Sequence, residues 1–215
     1  MASPLRLCML SGSFEYDSEE SLGLFRAHLA AVGGFGDTLI VYADEDDDQS
    51  LAAIDDTDVL LVFTRRIRVE GAELDRLKAY CAAGRPVVGV RTASHAYQNW
   101  LEFDAQVLGG SYTGHFGSGP TTDVTAADDV AGHPILAGVP RFDSVGSLYK
   151  NTPIADDATL LLNGTTPDST EPVAWTRLHE GGRVFYTSLG HQQDFRDAAF
   201  LTLLTNGVSW AAGRL

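Results

Sequence analysis

The sequence predicts an α/β fold: a doubly wound, mostly parallel sheet with an irregular antiparallel section, in one domain spanning 1–215. Three observations predict it. Runs such as Val59-Leu-Leu-Val-Phe63 are apolar at every position, as expected for a strand covered on both faces. Between such runs, apolar residues recur at helical spacing. Finally, the texture changes from Gly109 to about Pro172, where Gly, Pro, Asp and Thr become dense.

The elements follow in order. Leu5 to Leu10 is a short apolar run ending in Ser11-Gly12-Ser13, a buried strand feeding a loop. Leu22, Phe25, Leu29 and Val32 share one helix face, and Gly33-Gly34 stops that helix. Thr38-Leu-Ile-Val-Tyr42 is a second strand and Val59–Phe63 a third. Leu74, Leu77 and Cys81 mark the next helix, with Gly84 near its end. Pro86-Val-Val-Gly-Val90 is a fourth strand, after which Ser94 offers an N-cap for a helix running towards Trp100. This alternation predicts parallel strands joined by right-handed crossovers. In the irregular section, Thr121–Thr125 and Ala158–Leu162 read as antiparallel strands. Val173–Thr176 and Arg183–Thr187 flank Glu180-Gly181-Gly182, a hairpin signal. Phe200, Leu203, Leu204 and Trp210 mark a closing amphipathic helix.

Composition narrows the function classes. A chain of 215 residues buries a substantial core. Its formal net charge of -14 repels phosphate backbones and anionic lipid, which argues against nucleic-acid and membrane-surface roles. Part of that charge is the run Asp44-Glu45-Asp46-Asp47-Asp48, read as a solvated loop, since it lacks the spacers and central Gly of a calcium loop. Cys8 and Cys81 read as buried free thiols. The first ten residues lack the apolar core of a signal peptide, and no apolar run approaches membrane-spanning length, so a cytoplasmic address is expected.

Ligands of open α/β sheets bind beyond the carboxyl ends of the strands. The strand ends here carry Ser11, Gly12 and Ser13; Thr64, Arg65 and Arg66; Arg91, Thr92, Ser94 and His95; and Ser188, Gly190, His191 and Asp194. In Gly84-Arg-Pro-Val-Val-Gly-Val-Arg-Thr-Ala-Ser-His95 an apolar strand runs straight into a turn, the geometry of a nucleophile elbow. The elbow residue is Arg91. A guanidinium stays protonated and cannot attack a carbonyl, but it can bind an anion or a hydroxyl, or stabilise developing negative charge. The competing reading is an Arg that satisfies loop carbonyls.

Five ordered segments extend this pattern: Pro86–His95, Gly109-Gly-Ser-Tyr-Thr-Gly-His115, Pro172-Val-Ala-Trp-Thr176, Gly182-Arg-Val-Phe-Tyr-Thr-Ser-Leu-Gly-His191 and Asn206-Gly-Val-Ser-Trp210. Together they resemble the ThuA-like, or trehalose-utilisation, family of the class I glutamine amidotransferase-like superfamily. The resemblance covers nearly the whole chain. It implies a flavodoxin-like fold and a role near disaccharide or keto-sugar metabolism. True amidotransferases carry a catalytic Cys at the elbow, where this chain has Arg91; many ThuA-like proteins carry His there. Glutaminase chemistry, which needs a thiolate, is therefore not expected. The amidotransferase His-x-Glu is similar to His191-Gln-Gln-Asp194, with the acid displaced by one position.

The resulting expectation is an enzyme acting on a small, sugar-like ligand, with isomerase, hydrolase and lyase chemistry all open. His191 serves as general acid or base, with Asp194 either orienting its ring or capping the last helix. Arg91 completes the catalytic set. Ser11, Gly12, Ser13, Arg65, Thr92, His95 and His115 contact the substrate. The alternative is a non-catalytic sugar-binding or regulatory module on a decayed amidotransferase scaffold. His95, His115 and His191 lack local metal-ligand spacing, so no metal is assigned. No phosphate-cradling Gly motif follows the first strand, which disfavours nucleotides and leaves the cofactor unknown. A homodimer is the default on base rates alone.

Overall fold

The computed structural model describes residues 3–42, 50–117, 121–130 and 132–215. The acidic run 44–48 and the last two residues of the Gly-rich loop 113–119 lie outside them.

Nine strands form one mixed sheet in the order β2-β1-β3-β4-β9-β8-β7-β5-β6. Its parallel half comprises β1 (Leu5–Gly12), β2 (Phe35–Tyr42), β3 (Val59–Thr64), β4 (Val87–Val90) and β9 (Gly182–Thr187). Its antiparallel half continues from β9 through β8 (Thr170–His179), β7 (Thr159–Thr165), β5 (Thr122–Ala126) and β6 (Phe142–Ser144). The three-residue strand β6 has no sequence signal of its own.

Alternation along each strand builds two cores, because successive side chains point to opposite faces. Leu7, Met9, Leu61, Phe63 and Phe185 pack under α1 (Ser18–Val32) and α3 (Ala198–Ala211). Cys8, Leu10, Leu60, Val62 and Tyr186 pack under α2 (Gly71–Ala82) and the segment holding Tyr97, Phe103 and Val107. Both β3 and β4 are buried at every position, which explains their unbroken apolar sequence. Cys8 and Cys81 are free and buried in the second core, and burial pushes each thiol up to about 12.

One expected element does not form. Ser94 caps no helix. Residues Arg91–His95 make a single 3₁₀ turn, and the chain then pairs with the segment after β3. The Arg66 N–H donates to the His95 carbonyl (2.9 Å), the Ile67 N–H to Ala96 (2.8 Å) and the Gln98 N–H to Ile67 (3.0 Å). These bonds take up backbone groups that a helix towards Trp100 would need. A π-helical turn, Asp104–Leu108, follows instead.

The late hairpin forms as its sequence indicates. Glu180 and Gly181 have φ values of 49° and 80°, the left-handed pair that a two-residue β-turn requires. Among the described residues, no helix is long and apolar enough to cross a membrane.

Candidate functional site

The elbow after β4 decides the layout. Arg91 has φ 45°, a left-handed conformation costing a non-Gly residue roughly 1–3 kcal/mol. The bend turns its side chain inward, so Arg91 is only 1% exposed. Nη1 donates to the Ser188 carbonyl (2.8 Å) beyond β9. Nη2 donates to the Tyr16 hydroxyl (3.1 Å) and to the Ser147 carbonyl and hydroxyl (both 3.3 Å). Its Cζ lies 4.4 Å from the centre of the Tyr16 ring and 4.6 Å from that of Tyr149. A cation with an aromatic ring against it is held electrostatically in a dry setting. Gly146 makes room for it: a Cβ there would stand 2.9 Å from Nη1.

Tyr16 reaches Arg91 because the turn after β1 is pinned. Ser11 and Ser18 share a hydroxyl–hydroxyl bond (2.8 Å), and the Ser13 N–H donates to Ser18 Oγ (2.9 Å). Ser11 and Ser13 are fully buried, and Gly12 accepts the Arg65 N–H (3.0 Å). These residues shape the turn from within. Arg65 itself is half-buried and pairs with Glu15 at 3.1 Å. Thr92 is buried directly behind the elbow.

Tyr149 comes from the antiparallel half. Its segment pairs with the stretch that carries His115: the Thr113 N–H donates to Lys150, the Lys150 N–H to Gly114 and the Phe116 N–H to Leu148. Glu171 on β8 anchors the far end by accepting the Asn151 N–H (3.1 Å) and the Thr152 N–H (3.0 Å) and hydroxyl (2.7 Å). Tyr112 stacks on His95 with centroids 4.6 Å apart and touches Tyr149 at the same distance. Its N–H donates to Asp104 Oδ2 (2.9 Å).

The histidines surround this aromatic cluster. His95 lies beside Tyr112 and Tyr149, and burial, with help from Arg65, Arg66 and Arg91, pushes its pKa down to about 3. His115 is exposed, 6.5 Å from the Tyr149 ring. His191 is half-buried, 6.1 Å from the Tyr16 ring. Burial and the Arg91 charge lower its pKa against the pull of Asp194. Both His95 and His191 are therefore neutral near pH 7.

Asp194 neither orients the His191 ring nor caps the last helix. Its Oδ2 accepts the Gly190 N–H (2.8 Å), the His191 N–H (2.9 Å) and the Ser144 hydroxyl (2.9 Å), so it clamps the loop that carries the ring. Burial raises its pKa, and those three donors oppose the rise. The ring's Nδ1 instead accepts the Gln193 N–H (3.2 Å), and α3 is capped by Asp197, whose Oδ1 accepts the Ala199 N–H (2.7 Å).

The structure thus gathers Arg91, His95, His115 and His191 around three tyrosines, Tyr16, Tyr112 and Tyr149, none of them among the polar strand-end residues legible in the sequence. Tyr112 lies within a segment that carries the family pattern; Tyr16 and Tyr149 have no local signal. Among the described residues, no three His, Cys, Asp or Glu side chains converge to hold a metal ion.

The family model described as "Trehalose utilisation" matches residues 10–211. The chain belongs to the ThuA family. Among solved structures, it is similar to a ThuA-like protein from Parabacteroides merdae ATCC 43184, with TM-score 0.78, 19% identity, and 98% and 90% of the two chains covered. A ThuA-like protein from Bacteroides uniformis ATCC 8492 follows, at TM-score 0.74 and 18% identity, covering 98% and 93%. A cytoplasmic protein from Salmonella typhimurium LT2 shares the fold at TM-score 0.65 and 12% identity, covering 96% and 99%. No match among curated proteins was found. Membership of ThuA links the chain to carbohydrate metabolism in general.

Proposed function

We propose that this ThuA protein is an enzyme acting on a small carbohydrate, an oxidised (keto) sugar or disaccharide derivative, through histidine acid–base chemistry in which His191 takes part. The observation that carries the reading is the cluster itself. A buried guanidinium at the end of a parallel strand lies between two tyrosines, with the half-buried His191 and the exposed His115 beside them. Aromatic faces with a few placed polar groups suit a sugar ring. An imidazole held below its ordinary pKa, as His191 is, suits proton transfer better than anion binding. Arg91 acts from beneath, where its charge favours negative charge developing on a carbonyl oxygen above the tyrosines. Glutaminase chemistry is no part of the proposal, because both thiols lie in the core and the elbow residue is Arg91.

The parallel order β2-β1-β3-β4-β9, with helices against both faces, supports a flavodoxin-like, doubly wound description and descent from amidotransferase-like ancestors. A cytoplasmic setting agrees with the Salmonella relative's name. The ligand is a sugar-like small molecule rather than nucleic acid or membrane, in keeping with the net charge of -14. A homodimer rests on base rates and is checked by size-exclusion chromatography.

The test is turnover of a keto-sugar panel by wild type and by His191→Ala. A loss of about 10²–10³ in rate is expected for a group that donates to the reacting oxygen. An equal rate in the variant removes His191 from the chemistry. The burial of Arg91 favours one second reading, a sugar-binding module whose elbow is plugged. That reading predicts ligand-induced thermal stabilisation without any turnover.

A further inference from the structure

Two imidazoles at this site, the exposed His115 and the half-buried His191, have opposite hydrogen-bonding at Nδ1. At His115, Nδ1 lies 2.8 Å from the Phe116 carbonyl oxygen. A carbonyl only accepts, so His115 Nδ1 carries a proton and, in the neutral ring, the lone pair lies on Nε2. At His191, Nδ1 lies 3.2 Å from the Gln193 N–H. A backbone N–H only donates, so this Nδ1 is bare and, in the neutral ring, Nε2 carries the proton. The partner at one ring nitrogen thus dictates what the other offers.

Both rings belong to one cluster. His115 lies 6.5 Å from Tyr149 and His191 6.1 Å from Tyr16, the two rings that enclose Arg91. The backbone holds each in place: His115 through the ribbon it forms with Tyr149, and His191 through the Asp194 clamp on its N–H. The third imidazole, His95, has its Nδ1 against the Ser94 hydroxyl (3.1 Å), which donates or accepts and therefore leaves that tautomer open. Its pKa near 3 also makes it a poor base.

We propose that His115 is the general base and His191 the hydrogen-bond donor of this site, the two roles being set by the Phe116 carbonyl and the Gln193 N–H. The inference rests on the keto-sugar reading and deepens it. In the step it describes, His115 Nε2 takes a proton from the carbon next to a sugar carbonyl. The C–H electron pair becomes a C=C bond, and the carbonyl π pair moves to oxygen. That oxygen accepts the His191 Nε2–H. Return of a proton, by then exchanged with solvent, from His115 to the same carbon re-forms the carbonyl and completes exchange, with no oxidant or reductant consumed.

Two measurements test it. Long-range ¹H–¹⁵N spectra of the imidazoles at pH 8, assigned with His115→Gln and His191→Gln, are expected to show Nδ1–H at His115 and Nε2–H at His191. The reverse tautomer at either ring overturns the proposal. Deuterium wash-in from solvent is then followed on keto derivatives of glucose and trehalose. His115→Ala is expected to slow it by about 100-fold or more, with added imidazole restoring part of the rate. Wild-type exchange with an undiminished His115→Ala rate overturns the base role and leaves the carbohydrate reading standing. A wild type that exchanges no keto-sugar overturns that reading and the base role together, whatever the tautomers.

Discussion

The parallel and antiparallel halves of the sheet divide the work differently. In the parallel half, strands buried on both faces hold rigid ends, and the turns after them place Tyr16, Arg91 and His191. In the antiparallel half, the residues that matter, Tyr112, His115 and Tyr149, lie on connecting segments tied to each other and to β8. One half presents the elbow and the other covers it. The difference teaches that this site is an assembly of two layers, and Arg91 is the bond between them, because it reaches Ser188 on one side and Ser147 on the other.

Four substitutions break or sharpen that division. The largest effect is expected at Phe63→Ala in the parallel half, whose ring is fully buried against Tyr16 and Phe195. A loss of about 3–5 kcal/mol by urea denaturation is expected; a loss below 1 would show that the parallel half is not the stability core.

Asp104→Asn comes next. Burial pushes this carboxyl up to about 6, above its value in an unfolded chain. The folded state therefore binds the proton more tightly, and stability is lost as pH rises from about 4 to about 6. Asn, which never ionises, is expected to remove that loss and to be more stable than wild type at pH 8, by up to about 2 kcal/mol. Denaturation midpoints across pH 4–8 with the same slope in both proteins would refute the assignment.

Arg91→Met keeps the bulk and removes the bond between the layers. It leaves the Ser188 carbonyl without the guanidinium donor, so about 1–3 kcal/mol of destabilisation is expected. Amide exchange should quicken in 111–116 and 145–150 more than in β3 or β4; uniform quickening would mean the halves are not separable. The smallest effect is Glu180→Asn at the hairpin that joins the halves, where φ is 49°. Asn tolerates that region better, and a gain of about 0.5 kcal/mol is expected by thermal denaturation.

Legibility in the sequence followed the same division. Strands β3 and β4 were readable because double burial leaves an unbroken apolar run, and the hairpin because its turn demands left-handed residues. The helix expected after Ser94 failed because its backbone pairs with Ile67, a partner far away in the chain that no local pattern reveals. Asp194 was expected to orient the His191 ring or cap the last helix, but its partners are N–H groups and a hydroxyl from β6, a strand too short to leave a signal. Tyr149 escaped notice for a related reason: its value lies in a cation 58 positions earlier, and only the folded ribbon brings them together.

Strand β9 is the seam of the sheet, parallel to β4 on one side and antiparallel to β8 on the other. During synthesis, β4 must wait for residue 182 to leave the ribosome before that edge is filled. Until then the nascent chain carries an open, wholly apolar strand. A product truncated before the hairpin keeps that edge open, and it is expected to aggregate where the whole chain folds.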